Sequence, residues 1–145
     1  MTEADVKLRN ALLGAWELVL WTNRRPDDVI EHPFGDHPRG VIIYAPDGHM
    51  SVHMLRPGIA PFGTPPAATP PERVIDAYHG YVGYFGRFTV DAAHSIVTHH
   101  IDGAWYPDIQ GDQVRHCRLD GDRLFLEAET PTGWVTIEWR RAPAR

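Results

Sequence analysis

The chain has 145 residues and one cysteine, Cys117, which suits a single domain (1–145) and excludes an internal disulfide framework. A formal net charge of −5, without a basic tract, argues against nucleic acid as a partner. No apolar run approaches the ~20 residues of a membrane span, and the charged N-terminus does not resemble a signal peptide, so a cytoplasmic protein without membrane contact is predicted.

The first part of the chain alternates short apolar segments with turn residues. Residues 1–11 are predicted to form an N-terminal arm or a short leading helix, and WELVLWT (16–22) a strand. Two β-branched or apolar segments flank the turn APDG, which predicts a β-hairpin of residues 39–44 and 49–55. The Pro-rich segment 56–71 is predicted to be a lid or cover over one end of the domain.

One helix is predicted directly after this loop. Thr69 is its predicted N-cap, because Pro70 and Pro71 suit a first turn and Glu72 completes a T-x-x-E capping box. Gly80 can end the helix.

The rest of the chain is typical of a series of sequential strands separated by turns rich in Gly, Asp and Pro. The predicted strands are 81–90, 95–102, 112–119, 123–128 and 134–140. Sequential antiparallel strands tend to close into a barrel, because closure removes the unpaired edges of the sheet. The predicted fold class is therefore all-β, an up-and-down antiparallel barrel with one short helix.

Two adjacent histidines lie on one of these strands. Val97 and Ile101 share a face with His99, so His99 is predicted to point into the barrel and His100 to the surface. Because neighbouring strand residues point apart, this pair cannot chelate one metal ion. No H-x-H or H-E-x-x-H spacing occurs, so no metal and no cofactor is predicted, with a His53–His99 pair across the interior as the remaining alternative.

A second strand carries polar side chains inward. Cys117 and Leu119 define its apolar face, which Gln113 and Arg115 share. An unpaired buried arginine costs several kcal/mol, so Arg115 requires a carboxylate, carbonyl groups or a ligand. His99 is predicted to move a proton, Arg115 to stabilise an oxyanion and Gln113 to orient a carbonyl. The alternative is a buried polar network that sets the barrel register.

Aromatic residues provide further candidates for ligand contact. Tyr44, Tyr84 and Tyr106 are predicted to donate phenol hydrogen bonds to a ligand, the alternative for each being core packing with a satisfied hydroxyl. Trp105 and Tyr106 lie in the loop before an inward-facing strand. They are predicted to gate the barrel mouth, or alternatively to anchor their own loop.

The strand 49–55 allows two assignments of its inner face. Its apolar face includes Met54, a candidate pocket residue because methionine suits an adaptable apolar site. His53 lies on the opposite face, which points outward unless the lumen is polar. Both positions remain open for His53, which is a candidate substrate-binding residue only in the second.

Three motifs are the most specific features of the chain: Y-x-P-D-G-x-M-S at 44–51, HH at 99–100 and Q-V-R at 113–115. Together they resemble the lipocalin-like domain family of bacteria and fungi, and the resemblance extends from about Leu12 to Arg141. It implies a lipocalin-like (calycin) barrel with a hydrophobic ligand in its lumen. Some related lipocalin-like proteins are cofactor-free isomerases or cyclases of secondary metabolism.

The lumen is therefore expected to bind a small, largely apolar organic molecule bearing a carbonyl or oxyanion. Cofactor-free acid–base chemistry of the isomerase, cyclase or lyase type is expected on it; the alternatives are a carrier without turnover and a solid barrel that binds another protein through its outer face. A homodimer is the candidate assembly. An enzyme requires a cavity on the order of several hundred Å³ reached by His99 and Arg115, and a solid core would exclude enzyme and carrier alike.

Overall fold

The computed structural model describes residues 1–144. Within that range it contains two helices, α1 (Glu3–Leu12) and α2 (Pro71–His79), and nine strands. The strands are β1 (Gly14–Arg24), β2 (Ile30–Glu31), β3 (Arg39–Tyr44), β4 (His49–Leu55), β5 (Tyr81–Asp91), β6 (Ile96–Ala104), β7 (Gly111–Asp120), β8 (Arg123–Thr130) and β9 (Gly133–Arg141).

Eight of these strands, β1 and β3 to β9, form a closed antiparallel barrel. Each pairs with the next along the chain, and β1 pairs with β9 to close the sheet, from Trp16 opposite Arg141 to Arg24 opposite Trp134. The two-residue β2 pairs only with the far end of β1. The predicted up-and-down barrel is confirmed.

The N-terminal segment is a helix, one of the two alternatives predicted for it, so the barrel carries two short helices. The hydroxyl of Thr2 accepts a hydrogen bond from the backbone N–H of Asp5, and the Asp5 carboxylate accepts one from the N–H of Thr2, both at 3.0 Å. This capping box satisfies two N–H groups that the helix leaves free. Asp5 also accepts from the N–H of Ala92 at 2.8 Å, which ties α1 to the β5–β6 connection.

Helix α1 covers the barrel end where the tight hairpin turns lie. Leu12 and Trp16 are fully buried there, and the indole N–H of Trp16 donates to the Leu12 carbonyl at 2.9 Å. Arg141 donates to the carbonyls of Ala11 and Leu13, each at 2.6 Å, and its guanidinium lies 3.9 Å above the Trp16 ring. This end of the barrel is therefore closed, and the longer loops surround the other end, the mouth.

Helix α2 follows the Pro-rich loop as predicted, but the predicted capping box is wrong. A residue before a proline is driven out of the helical conformation, so Pro70 is extended and becomes the N-cap ahead of Pro71. Thr69 is buried in the loop, and its hydroxyl donates to the Pro65 carbonyl at 2.9 Å. Tyr78 of α2 donates to the Trp105 carbonyl at 3.0 Å, at the mouth.

Side-chain orientation follows the predicted alternation in most strands. Leu124 and Leu126 of β8 are buried, and so are Val97 and His99 of β6. Strand β1 departs from this alternation because its pairing with β9 shifts register between Leu18 and Leu20.

No helix in the described chain is both long enough and apolar enough to span a membrane.

Candidate functional site

A small cavity occupies the lumen. Its volume is about 170 Å³, less than the several hundred expected. It is comparable to apolar protein cavities of roughly 150 Å³ that admit benzene, so its size suits a single-ring molecule. The residues that line it are Trp21, Ile42, Val52, Met54, Val82, Tyr84, His99, Trp105, Ile109, Arg115, Leu126, Ile137 and Trp139.

His99 lies between two tyrosines on the cavity wall. It is 1% exposed, with Nε2 2.7 Å from the Tyr44 hydroxyl and Nδ1 2.6 Å from the Tyr84 hydroxyl. Tyr44 ends β3 near the closed end and is fully buried, whereas Tyr84 lies four residues into β5 and lines the cavity. A chain of three polar side chains therefore runs from the closed end to the lumen.

The protonation of this chain follows from its burial. Burial, with smaller contributions from the nearby Arg115 and His100, lowers the pKa of His99 to about 3. Burial raises the pKa of Tyr84 to about 12, an effect that Arg115 partly offsets, and raises the pKa of Tyr44 well above its usual value. At neutral pH the imidazole is neutral and both phenols keep their protons. A general base works best with a pKa near the working pH, so His99 alone suits that role poorly.

Arg115 brings a positive charge to the cavity. It lies on β7 directly opposite Val97, is half-buried and lines the lumen. Among residues 1–144 it forms no salt bridge, and its Nη1 donates to the Val114 carbonyl at 3.1 Å. The inward position predicted for Arg115 is confirmed, and its charge has no carboxylate partner in the described chain.

Two indole N–H groups lie buried beneath the same wall. Trp21 and Trp139 both line the cavity, and the N–H of each is buried without a hydrogen-bond partner within the described range. No aspartate or glutamate lines the cavity. Tyr84, His99 and Arg115 are the titratable groups on the lumen wall, and no carboxylate accompanies them.

Several residues predicted to contact a ligand do not line the cavity. Gln113 lies opposite His99 in the sheet and is half-buried. Tyr106 is 39% exposed, and its hydroxyl donates to Asp108 at 3.1 Å. Of the predicted mouth pair, only Trp105 reaches the cavity.

His53 lies on the outer face of the barrel. Its ring contacts the hydroxyls of Ser51, at 3.1 Å, and Tyr81. It borders an external cleft of about 680 Å³ that contains none of the lumen residues named above. The apolar side of β4, with Met54 in the cavity, faces inward, so a lumen position for His53 and a metal held by His53 and His99 are both wrong.

His100 is on the outer face, as predicted. Its Nδ1 lies 2.7 Å from the Asp112 carboxylate and its Nε2 lies 2.7 Å from the Thr89 hydroxyl. The two adjacent histidines thus belong to different networks on opposite sides of one strand.

Trp21 and Ile109 are lining residues that the sequence did not reveal as such. Simple alternation from Trp16 and Leu18 places Leu20 inward, and the register shift in β1 brings Trp21 inward instead. Ile109 lies in the loop between β6 and β7, where no periodicity signals orientation.

Comparison with known proteins agrees with this architecture. A search of curated proteins finds no match. The lipocalin-like domain family matches residues 13–142, a range that begins just before β1 and ends just after β9. The match therefore covers the whole closed barrel, including the strands that carry Tyr44, Tyr84, His99 and Arg115. On this evidence the chain belongs to the lipocalin-like domain family.

Proposed function

We propose that the lumen binds a small, largely apolar organic molecule that presents an acceptor oxygen, either a carbonyl or an oxyanion. One observation carries this proposal: the cavity combines an apolar wall with a cation, Arg115, that has no carboxylate partner among the described residues. A half-buried charge without a carboxylate partner is partly desolvated, and an anionic or strongly polar ligand would relieve that cost.

The other polar groups support the same class of ligand. The Tyr84 hydroxyl is a protonated donor at neutral pH, and the indole N–H groups of Trp21 and Trp139 have no acceptor in the described chain. Tyr84 lines the cavity, so a ligand oxygen can accept its hydrogen bond, whereas the two indole N–H groups lie beneath the cavity wall. The cavity of about 170 Å³ limits this ligand to roughly one ring.

Single-ring probes of different charge test the proposal. Benzoate, toluene and benzylamine have similar apolar bodies, and we expect affinity to fall in that order in titrations followed by NMR. Arg115→Gln should weaken benzoate binding by about tenfold or more while leaving toluene binding within about threefold, since a hydrogen bond to a charged group contributes roughly 1.5–3 kcal/mol.

Arg118 provides the matched control for this experiment. It lies on the same strand as Arg115 but faces outward, with its guanidinium 3.9 Å above the Phe125 ring. Arg118→Gln removes the same charge without touching the lumen. Equal losses of benzoate affinity from both variants, or benzylamine binding as tightly as benzoate, would refute lumen recognition of an acceptor oxygen.

Acid–base chemistry on the bound molecule is the second candidate function. It is favoured by the hydrogen-bonded chain that reaches the lumen at Tyr84, beside the Arg115 cation. In this proposal Tyr84 gives its proton to the ligand oxygen while solvent water takes the proton from the adjacent carbon, and in the return step the oxygen gives its proton back to Tyr84 as water protonates the carbon. His99 links the two tyrosines, and Arg115 stabilises negative charge on the ligand oxygen. Chemistry of the isomerase, cyclase or lyase type fits these roles.

Deuterium exchange tests this second candidate. Cyclohexanone in D₂O exchanges the hydrogens next to its carbonyl through an enol, and catalysis by the protein would raise that rate above the buffer rate. We expect Tyr84→Phe to abolish the increase and Tyr81→Phe, on the outer face, to retain it. If wild-type protein gives the buffer rate, binding without turnover is the function that remains.

A further inference from the structure

The chain of hydrogen bonds from Tyr44 through His99 to Tyr84 has a direction, in which each side chain donates to the next. The Tyr44 hydroxyl is fully buried, and His99 Nε2, 2.7 Å away, is its one hydrogen-bond partner among residues 1–144. A phenol has a single proton to donate, and a buried hydroxyl proton without an acceptor is unfavourable. The Tyr44 proton therefore goes to Nε2, so Nε2 is the unprotonated nitrogen of the ring.

The rest of the chain follows from this assignment. A neutral imidazole carries one proton, which must then be on Nδ1, and Nδ1 donates it to the Tyr84 oxygen 2.6 Å away. The Tyr84 proton has no acceptor left on His99. Because Tyr84 lines the cavity, that proton is available to the lumen.

The opposite arrangement is less favourable because the two tyrosines differ in surroundings. If Nε2 carried the proton, the Tyr44 hydroxyl would accept a hydrogen bond and its own proton would have no partner in the fully buried pocket. In the favoured tautomer, by contrast, the unused proton belongs to Tyr84 and faces the cavity. The cost of an unsatisfied buried donor corresponds to a bias of on the order of tenfold or more.

We propose that Tyr44 is a positioning residue that sets the tautomer of His99 and thereby keeps the Tyr84 hydroxyl as a donor toward the lumen. The site would then select ligands whose oxygen accepts a hydrogen bond, with a carboxylate as the best match because Arg115 lines the same cavity. The ligand part of this inference rests on the proposed function. The direction of the hydrogen-bonded chain rests on the geometry alone.

The tautomer can be measured without any ligand. Long-range ¹H–¹⁵N correlation spectra distinguish a protonated Nδ1 from a protonated Nε2, and His99→Gln identifies the His99 signals by their loss. We expect His99 of the wild-type protein at about pH 7 to carry its proton on Nδ1. A protonated Nε2 would overturn the proposal.

Three Tyr→Phe variants test the effect on binding, with benzoate and toluene as probes. Tyr84→Phe is expected to lower benzoate affinity by about 10–100-fold, because it removes a hydrogen bond to a charged group. Tyr44→Phe is expected to mix the two tautomers of His99 and to lower benzoate affinity by about 3–10-fold. The hydroxyl of Tyr81 contacts His53 outside the barrel. Tyr81→Phe is therefore the control and should change neither the tautomer of His99 nor the affinity for benzoate.

The toluene arm separates positioning from a structural role. Toluene lacks an acceptor, so its affinity should stay within about threefold in all three variants. If Tyr44→Phe lowers benzoate and toluene affinity equally, or leaves both the His99 spectrum and benzoate affinity unchanged, positioning by Tyr44 is refuted. Wild-type protein that shows the Nδ1 tautomer but binds no benzoate would refute the proposed function and still support the directed chain.

Discussion

His99 stays neutral because burial, together with the charges of Arg115 and His100, disfavours the imidazolium. Its pKa is about 3 in the folded state and 6.5 in the reference state, so between those values the unfolded chain binds the proton more readily. The contribution of His99 to stability is therefore fully present above pH 6.5 and is lost progressively as the pH falls toward 3.

This residue should make the free energy of unfolding fall on acidification. Below about pH 6 we expect His99 to contribute a slope of about 1.4 kcal/mol per pH unit, which His99→Gln removes. Urea denaturation at about pH 7 and about pH 5 measures the difference. Arg118→Gln, an outward-facing substitution that leaves every histidine in place, is the control and should keep the wild-type slope, and equal slopes for all three proteins would contradict the buried neutral state of His99.

Tyr44 also contributes to stability through its hydroxyl. Tyr44→Phe leaves His99 Nε2 buried without a partner, for an expected loss of about 1–3 kcal/mol in the free energy of unfolding. Tyr81→Phe removes a hydroxyl on the outer face and should cost less than about 0.5 kcal/mol. Denaturant titration of both variants checks this, and a similar small loss in each would show that the buried contact contributes little.

At the scale of an element, β5 depends on a close approach between strands. Its pairing with β6 shifts register between Phe85 and Gly86, and a Cβ atom at Gly86 would overlap the backbone carbonyl oxygen of His100. A backbone atom in the sheet cannot move without breaking the pairing. At Gly83 the nearest atom to such a Cβ, 2.7 Å away, belongs to the side chain of Tyr81, which can rotate.

Alanine at these two glycines should therefore have unequal effects. Gly86→Ala is expected to destabilise the protein by about 1–3 kcal/mol or more, and Gly83→Ala by clearly less. Thermal unfolding of both variants checks the order. The reverse order would show that the strand pairing at the register shift is adaptable. The same shift matters for function, because β5 and β6 carry Tyr84 and His99.

At the scale of the whole molecule, the barrel limits the size of its ligand. Helix α1, Trp16 and Arg141 close one end, so the proposed ligand would enter at the mouth and meet a cavity of about 170 Å³. One aromatic ring fits a space of this size, and a fused two-ring system requires more. The donors at Tyr84 and Arg115 line the same space.

Enlarging the cavity should therefore change the size preference. Leu126 is buried and lines the lumen, and Leu126→Ala should admit 2-naphthoate, which we expect wild-type protein to exclude, at a cost of about 2–5 kcal/mol in stability. Titration of both proteins with benzoate and 2-naphthoate checks this. Tight binding of 2-naphthoate by the wild type would show that the lumen expands on its own.

Much of the fold could be predicted because it depends on local patterns. Turn residues mark the strand ends, and apolar alternation assigns Val97, His99 and Cys117 to the inner face of the barrel. The wrong predictions concern residues whose conformation depends on the next residue or on the register of a neighbouring strand. The proline after Pro70 moves the helix cap away from Thr69, and the register shift opposite β9 turns Trp21 into the lumen.

The sequence by itself determined that this chain closes into an up-and-down barrel and that His99 and Arg115 share its interior, because strand periodicity is a local property. Only the tertiary structure decided that His99 lies between Tyr44 and Tyr84, that His53 lies outside, and that the cavity is small. These features join residues from different strands, such as Tyr44 and His99, 55 positions apart. Their distances and burial depend on how the sheet curves and closes, which no single segment encodes.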